Sequence, residues 1–179
     1  AGCEAFYPES QLVEGRCPDQ GHPVERVSEE SYFFRLSRYA EPLLRLYRDR
    51  PEFVRPATRL NEVRSFVESG LRDLSISRTS ISWGVPFPGA PGSIVCVWVD
   101  ALTNYMSALG YGGDETNPEM AYWPAQAHLV GKDILRFHAV YWPAFLMAAG
   151  LPLPKSIVAH GWWLSDSGKM SKSRGNVVD

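Results

Sequence analysis

The residues with the clearest chemical potential lie near the end of the printed sequence. Lys169 and Lys172 are three positions apart in segment 168–175, which also holds two serines and has a glycine at each end. Such a loop can close two ammonium groups around a polyphosphate leaving group and stabilise its developing charge. The segment therefore favours nucleotide chemistry, although a lysine pair considered alone more often belongs to a solvated basic surface.

Composition limits the class of protein. A chain of 179 residues with 45% apolar side chains can bury one core, with room for a small insert. A net charge of −2 gives no general attraction to DNA or to a membrane, so any RNA contact must be local. Three cysteines favour a reducing compartment, and Arg136, His138 and Pro143 interrupt the one long apolar stretch. We expect a cytoplasmic protein without membrane or DNA partners.

Three consecutive regions are predicted along the chain. Residues 1–27 are rich in glycine, proline and turn formers, which is typical of an irregular knuckle. Residues 28–90 contain a periodic apolar pattern that predicts a helix from Ser28 to about Pro51, and another that predicts a helix from Thr58 to Gly70. Residues 91–179 form the third region.

The third region alternates predicted strands with predicted helices. The strands are predicted over Ser93–Val99, Ala125–Val130 and Ile157–Ala159, and the helices over Asp100–Leu109 and Asp133–Ala149, the latter kinked by Pro143. This alternation predicts an α/β fold with a parallel sheet, and such sheets bind ligands beyond the carboxyl ends of their strands.

Glycine, aromatic and charged residues lie at the carboxyl ends of the predicted strands, where simple connections would need only turn formers. They are Trp98, Asp100, Gly131, Lys132, Asp133, His160 and Gly161. Gly131 would let a ligand approach the backbone closely. Asp133 could accept hydrogen bonds from a ribose, or it could simply cap the following helix. We expect a ligand crevice at this sheet edge.

Two helical faces near this edge are rich in aromatic residues. Ile134, His138 and Trp142 are spaced by four, and Trp98, Ala101 and Tyr105 also share a face. Together these faces could form an apolar slot for a flexible, polarizable side chain, with His138 as its polar member. A histidine satisfied within an ordinary core is the alternative interpretation of His138.

These residues resemble a known family. Segment 169–179 resembles the signature loop of class I aminoacyl-tRNA synthetases in the form found in methionyl-tRNA synthetases. Further stretches show the same resemblance: 30–36, 73–78, 97–102, 131–134 and 137–138. The resemblance covers essentially the whole chain. It implies the second half of a class I Rossmann-like nucleotide-binding fold, preceded by a small irregular insert and helices.

The resemblance also implies a reaction and a set of site residues. Methionine and ATP with Mg²⁺ would form methionyl-adenylate and pyrophosphate, and the methionyl group would then pass to tRNA(Met). Lys169 and Lys172 would be catalytic. The implied ATP-binding residues are Gly131, Asp133, His160, Gly161, Lys169, Met170 and Lys172. The implied methionine-binding residues are Trp98, Ala101, Tyr105, Ile134 and His138.

The chain departs from the family pattern in two places. The His-x-Gly-His signature of the first half of the catalytic fold is absent, so the 179 residues alone are expected to be inactive. The knuckle, where many relatives bind zinc through four ligands, offers Cys3 and Cys17, with Gln20 and His22 nearby. Because a structural zinc site needs four Cys or His ligands, we expect no metal here.

Two other functions stay open at this point. A class I synthetase for another amino acid would keep the lysine loop but would need a different pocket at Trp98, Tyr105, Ile134 and His138. A non-catalytic relative that binds tRNA or regulates would tolerate the loss of Lys172. A generic nucleotide-binding module ranks lower, because no glycine-rich phosphate loop of the usual spacing is present.

Overall fold

The computed structural model describes residues 12–16, 22–24, 30–113, 116–165 and 168–170, and for Lys169 only the backbone. The chain forms two compact units, each built from two stretches of sequence. Unit 1 comprises Ala1–Phe34 and Ser75–Cys96, and unit 2 comprises Arg35–Leu74 and Val97–Asp179. Predicted domain boundaries at residues 27 and 90 stay predictions.

Short strands and helices alternate along the described chain. In order they are β1 (Phe33–Phe34), α1 (Ala40–Asp49), β2 (Val54–Arg55), α2 (Ala57–Glu68), β3 (Leu74–Ser75), β4 (Ser77–Arg78), β5 (Ile94–Val95), α3 (Val97–Ser107), β6 (His128–Gly131), α4 (Trp142–Ala149), β7 (Ile157–His160), β8 (Leu164–Ser165) and β9 (Gly168–Lys169). Turns of 3₁₀-helix cover Leu36–Tyr39, Pro118–Tyr122 and Lys132–Ile134, and a π-helical turn covers Phe137–Tyr141.

A three-stranded parallel sheet organises unit 2. Its strand order is β2-β7-β6, with Ile157 opposite both Val54 and His128, and Gly131 opposite His160. Val130 and Ile157 are buried in this sheet. The buried Tyr47 hydroxyl of α1 donates a hydrogen bond to the carbonyl of Ala139, 2.7 Å away. The predicted α/β class with a parallel sheet is confirmed.

Helices α3 and α4 supply the core beside the sheet. Leu102 and Met106 of α3 are buried in one cluster with Trp142 and Leu146 of α4. Helix α4 ends at Gly150, whose left-handed backbone (φ 68°) suits a residue without a side chain. This packing holds α3 against α4, which continues the helical segment that follows β6. Helix α3 and that segment each carry three of the predicted site residues.

The prediction of a helix from Ser28 is wrong over its first part. Ser28 itself lies outside the described residues, and the described chain turns helical only at Leu36. Tyr32 is held in an extended segment, because its N–H donates to Ser77 Oγ and its carbonyl accepts from the N–H of Ile76, both at 2.9 Å. The Tyr32 ring also stacks on Phe87 at 4.7 Å. Tertiary contacts therefore override the apolar periodicity at this position.

The predicted strand over Ser93–Val99 is also wrong in extent and in partner. The strand contains only Ile94–Val95 and pairs antiparallel with β4, outside the parallel sheet. Trp98 and Asp100 belong to α3 and do not end a parallel strand. A short apolar run cannot distinguish a strand from a buried helix by its pattern alone. The third parallel strand is β2, which at two residues is too short to show a period.

The other predicted elements agree with the structure. The helix predicted over 58–70 corresponds to α2, and the strands predicted over 125–130 and 157–159 correspond to β6 and β7. The chain is helical from Lys132 to Ala149, as expected, but it widens into the π-helical turn before α4. Pro143 lacks an N–H and its ring crowds the carbonyl four residues earlier, so a regular α-helical turn is disfavoured there.

The sequence predicted neither a metal site nor a membrane-spanning helix, and the structure describes only part of the chain. Cys3, Cys17 and Gln20 lie outside the described residues, so the zinc prediction is untested there. Among the residues that the structure describes, no group of three His, Cys, Asp or Glu side chains could hold a metal ion. Within the same residues, no helix combines the length and the apolar character needed to cross a membrane.

Candidate functional site

The carboxyl ends of β6 and β7 bring together residues predicted from the sequence. Gly131 and His160 are partners in the sheet, and Asp133 lies in the 3₁₀ turn that follows β6. A Cβ atom added to Gly131 would lie 3.7 Å from Asp133 Oδ2 and 3.9 Å from His160 Cε1. The carboxylate and the imidazole therefore both lie beside a backbone position that carries no side chain.

His160 and Gly161 leave the sheet edge open. The exposed His160 ring donates from Nδ1 to the carbonyl of Gly161 at 2.6 Å, because a carbonyl can only accept. The opposite nitrogen, Nε2, is then available as an acceptor in the neutral ring. Apart from its two chain neighbours, no residue that the structure describes has an atom within 4 Å of the position that a Cβ on Gly161 would occupy. A ligand can therefore approach the backbone at both glycines.

Trp162, which the sequence did not single out, links the two strand ends. Its indole Nε1–H donates a hydrogen bond to Asp133 Oδ1. Its ring lies under the ammonium of Lys132, with 3.9 Å between Nζ and the ring centroid. We call Gly131, Asp133, His160 and Trp162 the sheet-edge cluster. The only sequence signal for Trp162 was its position two residues after the end of β7.

A hydrogen-bonded chain connects α3 to the helical segment after β6. Tyr105 Oη lies 2.7 Å from His138 Nε2, and His138 Nδ1 lies 3.0 Å from the carbonyl of Ile134. Because that carbonyl can only accept, Nδ1 carries the proton and the Tyr105 hydroxyl donates to Nε2. His138 is 2% exposed, and burial lowers its pKa, although the bond to Ile134 opposes this. The chain of contacts is therefore electrically neutral.

A second buried histidine lies behind Tyr105. The ring of His128 is 4.2 Å from that of Tyr105 and 5.8 Å from that of His138, centroid to centroid. Burial, with a smaller contribution from His138, lowers the pKa of His128 to about 4. We call Tyr105, His128, His138 and Trp142 the aromatic cluster. His128 was not predicted as a site residue, although it begins β6, where His128 and Val130 alternate with the exposed Leu129.

The other predicted pocket residues have different surroundings. Trp98 stacks on Phe137, with 3.6 Å between centroids and 11° between planes. Phe137 was missed as a site residue, and it opens the π-helical turn, a feature often found at functional sites. Ala101 lies on α3 with Trp98 and Tyr105 and is exposed. Trp98 and Phe137 form a flat, half-buried aromatic surface.

The lysine loop is described only at its start. Strands β8 and β9 pair with Leu164 opposite Lys169, and the N–H of Met170 donates to the carbonyl of Trp163 at 2.9 Å. Lys172 lies outside the described residues. The structure therefore brings together Gly131, Asp133 and His160 in one place and Tyr105, Ile134 and His138 in another. It leaves the predicted roles of the lysines as predictions.

Comparison with known proteins defines the class to which this arrangement belongs. Residues 1–179 match the family described as tRNA synthetases class I (M). The chain belongs to that family. The resemblance stated from the lysine loop and its companion segments is thereby confirmed.

Individual relatives show how similar the chain is to members of this family. The chain is 55% identical over 177 residues to the methionine–tRNA ligase of Caldanaerobacter subterraneus subsp. tengcongensis, covering 99% of this chain and 28% of that protein. It is 58% identical over 180 residues to the methionine–tRNA ligase of Rhizobium meliloti (strain 1021), covering 98% of this chain and 35% of the relative. The chain thus spans about a third or less of these relatives.

A solved structure has the same fold. The crystal structure of Mycobacterium tuberculosis methionyl-tRNA synthetase bound by methionyl-adenylate matches with a TM-score of 0.86 and 54% sequence identity. The match covers 98% of this chain and 35% of that one. The free-state structure of the same synthetase matches with a TM-score of 0.81 over 88% of this chain.

Proposed function

We propose that these residues form part of a methionine–tRNA ligase, which activates L-methionine with Mg-ATP and transfers it to tRNA(Met). The observation that carries the proposal is the neutral hydrogen-bonded chain from Tyr105 through His138 to Ile134. His138 and Ile134 lie on the segment that follows β6, close in sequence to Gly131 and Asp133 of the sheet-edge cluster, and Tyr105 reaches them from α3. An apolar amino acid side chain and a nucleotide need these two contrasting environments.

The aromatic cluster suits the thioether side chain of methionine. The polar atoms of Tyr105 and His138 satisfy each other, so neither needs a charged ligand. Trp98 and Phe137 add a polarizable surface, and sulfur makes favourable contacts with aromatic rings. Trp98, Ala101, Tyr105, Ile134 and His138 are the residues that we propose for methionine binding. A charged amino acid side chain would find no partner of opposite charge among them.

The sheet-edge cluster suits the nucleotide. Asp133 can accept hydrogen bonds from ribose hydroxyls, and Gly131 and Gly161 leave room for the ligand next to the backbone. His160 offers a ring nitrogen beside them. We propose Gly131, Asp133, His160 and Gly161 as ATP-binding residues, with Lys169, Met170 and Lys172 closing on the phosphates. The carboxyl ends of parallel strands are the usual ligand edge of such sheets.

The proposed first step is an in-line displacement. A carboxylate oxygen of methionine attacks the α-phosphorus, and the bond to the oxygen bridging the α- and β-phosphates breaks. The electron pair leaves with pyrophosphate, where Lys172, assisted by Lys169, would stabilise the growing negative charge. In the second step, a hydroxyl of the terminal adenosine of tRNA attacks the methionyl carbonyl and releases AMP. Positioning of the two substrates supplies much of the remaining acceleration.

Amino-acid-dependent exchange of pyrophosphate into ATP tests the proposal in the full-length protein that contains these residues. Methionine is expected to support exchange, and the other nineteen amino acids are not. Exchange with a different amino acid would support a synthetase of other specificity. No exchange with any amino acid, in a protein that still binds tRNA, would support a non-catalytic relative.

The 179 residues by themselves are proposed to lack activity, because they lack the His-x-Gly-His signature of the family. Calorimetry of the isolated chain is expected to show weak or no ATP binding. Tight, magnesium-dependent binding would contradict this proposal. A protein with these substrates works where tRNA is charged, so we propose a cytoplasmic location, which imaging of a tagged full-length protein would test.

A further inference from the structure

We propose that Trp162 is a positioning residue for Asp133, an inference that rests on the proposed function of the sheet-edge cluster. A carboxylate that recognises a ribose must present a defined oxygen in a defined direction. On an exposed 3₁₀ turn, the Asp133 side chain would otherwise be free to rotate. The structure shows one side chain that can prevent this, and it comes from the other strand end.

The contact itself defines the orientation. The indole Nε1–H of Trp162 donates to Asp133 Oδ1, and the other oxygen, Oδ2, is the atom that faces the space above Gly131. One oxygen is thus occupied by the protein, and the other is directed to the open side of the cluster. A hydrogen bond to an ionised carboxylate is stronger than one between neutral groups.

The same ring also holds the neighbouring cation. The Lys132 ammonium lies 3.9 Å from the centroid of the Trp162 ring, a distance at which a cation is attracted to an aromatic face. The ring therefore orders both charged residues of the turn after β6. Because Trp162 follows β7 and Asp133 follows β6, this one side chain also ties the two strand ends together.

Three substitutions in the full-length protein separate the parts of this arrangement. Trp162→Phe keeps an aromatic face for Lys132 but removes the donor to Asp133. Trp162→His also makes the side chain smaller, because it removes the six-membered ring of the indole, but it keeps an N–H at the corresponding position of the five-membered ring. Trp83→Phe is the matched control, because Trp83 is 87% exposed and belongs to unit 1, whereas the sheet-edge cluster belongs to unit 2.

The expected result is a selective effect on the nucleotide. Trp162→Phe should raise KM for ATP about tenfold and leave KM for methionine within about twofold. Trp162→His should restore most of the loss, and Trp83→Phe should leave both KM values unchanged. In a double-mutant cycle, Trp162→Phe should add little to Asp133→Asn, because the tryptophan acts through that carboxylate.

Several results would overturn the inference. Equal KM values for the phenylalanine and histidine variants would mean that ring packing, and not the donor, matters. If the increases in KM for ATP caused by Trp162→Phe and Asp133→Asn multiply in the double variant, Trp162 does not act through Asp133. Thermal melting compares the folding of the two ring variants. If Trp162→Phe fails to fold, the histidine variant alone must keep a near-normal KM for ATP, and a tenfold rise there would also overturn the inference.

Failure of the proposed function would look different. An Asp133→Asn variant with an unchanged KM for ATP would remove the assumed role of the carboxylate, whatever happens at Trp162. Absence of methionine-dependent exchange in the unsubstituted protein would remove the reaction itself. In contrast, a large effect of Asp133→Asn together with no effect of Trp162→Phe would reject only the positioning role.

Discussion

The aromatic cluster and the sheet-edge cluster lie a few residues apart along the chain but differ in almost every physical property. In the aromatic cluster, His128 and His138 are 5% and 2% exposed, and burial depresses both pKa values. In the sheet-edge cluster, Asp133 and His160 are exposed, and a cation is held nearby on Trp162. The aromatic cluster is neutral, and its Tyr105 and His138 are paired with each other, whereas the sheet-edge cluster presents charge and open backbone.

This difference suggests that the two clusters bind different ligands. An apolar amino acid side chain gains most from a dry surface whose polar atoms are already paired. A nucleotide carries hydroxyls and negative charge, so it gains more from donors, acceptors and close backbone approach. The reaction proposed here needs both kinds of ligand next to each other. Substitutions in one cluster should therefore affect one substrate and spare the other.

The largest expected effect lies outside both clusters. Lys172→Ala should reduce adenylate formation by about a hundredfold or more, because a cation that stabilises the leaving pyrophosphate would be lost. Methionine affinity should stay the same. Pyrophosphate exchange and equilibrium dialysis with methionine measure the two properties in the full-length protein.

Lys155→Ala provides the matched control for this experiment, since Lys155 is an exposed lysine before β7. It should leave exchange unchanged. An unchanged exchange rate for Lys172→Ala would reject the proposed role of the lysine loop and would favour a non-catalytic relative.

The second prediction tests whether the aromatic cluster binds methionine and not the nucleotide. Tyr105→Phe removes the hydroxyl that donates to His138 Nε2 and leaves that buried nitrogen without its partner. KM for methionine should rise about tenfold, while KM for ATP stays within about twofold. Steady-state exchange kinetics give both values.

The same substitution at Tyr122, which is 75% exposed, serves as the control and should alter neither value. If Tyr105→Phe raised the two KM values together, the division between the clusters would be wrong.

The third prediction tests whether the sheet-edge cluster binds the nucleotide and not methionine. Gly131→Ala should fold normally, because the backbone there is extended (φ −68°) and the added Cβ would have contacts of 3.7 and 3.9 Å. The methyl group would occupy space that the nucleotide needs, so KM for ATP should rise by roughly threefold to tenfold. KM for methionine should not change.

Gly113→Ala is the control, since its nearest contact would be Gly110 O at 3.7 Å. A lower melting temperature for Gly131→Ala would show that the glycine serves the fold and not the ligand.

The smallest expected effect is the dependence of methionine affinity on pH, which tests the difference in charge between the two clusters. Burial lowers the pKa of His138 below its ordinary value of about 6.5, so the ring stays neutral at neutral pH and gains a proton only in acid. That proton would place a second donor on Nε2, opposite the Tyr105 hydroxyl. His128 should stay neutral until about pH 4. Methionine affinity should vary by less than about twofold from pH 8 to 6.5 and should weaken below that range.

Tryptophan fluorescence measures this affinity across the pH range. The acid-side weakening should disappear in His138→Gln, even if that variant binds less tightly overall. A steep change in affinity between pH 8 and 7 would mean that His138 is charged in the free protein.

Particular residues show what the sequence could and could not predict. Strands β6 and β7 and the residues after them were predictable, because short apolar runs that end near Gly131 and Gly161 have a distinct sequence pattern. The pairing of Tyr105 with His138 was only partly predictable, since helical spacing placed each residue on a face without fixing their contact. Strand β2 has two residues and therefore shows no period. The extended Tyr32 depends on Ser77 and Phe87, more than forty positions away.

The missed site residues have a similar explanation. Phe137 begins a π-helical turn and stacks on Trp98, and the local sequence pattern does not predict such a turn. Trp162 acquires its partners from the turn after β6, about thirty positions earlier in the chain. His128 was not singled out, because it belongs to an ordinary strand and its contacts with Tyr105 and His138 are made only in the fold.

The central claim is that the aromatic cluster binds the amino acid side chain and the sheet-edge cluster binds the nucleotide. Its most direct test is a crystal structure of the full-length protein with a non-hydrolysable analogue of methionyl-adenylate. The account predicts that the methionine side chain lies against Tyr105, His138 and the Trp98 ring, and that the ribose hydroxyls bond to Asp133 Oδ2. A ligand bound with its adenine or ribose against Tyr105 and His138, or without contact to Asp133, would contradict the account.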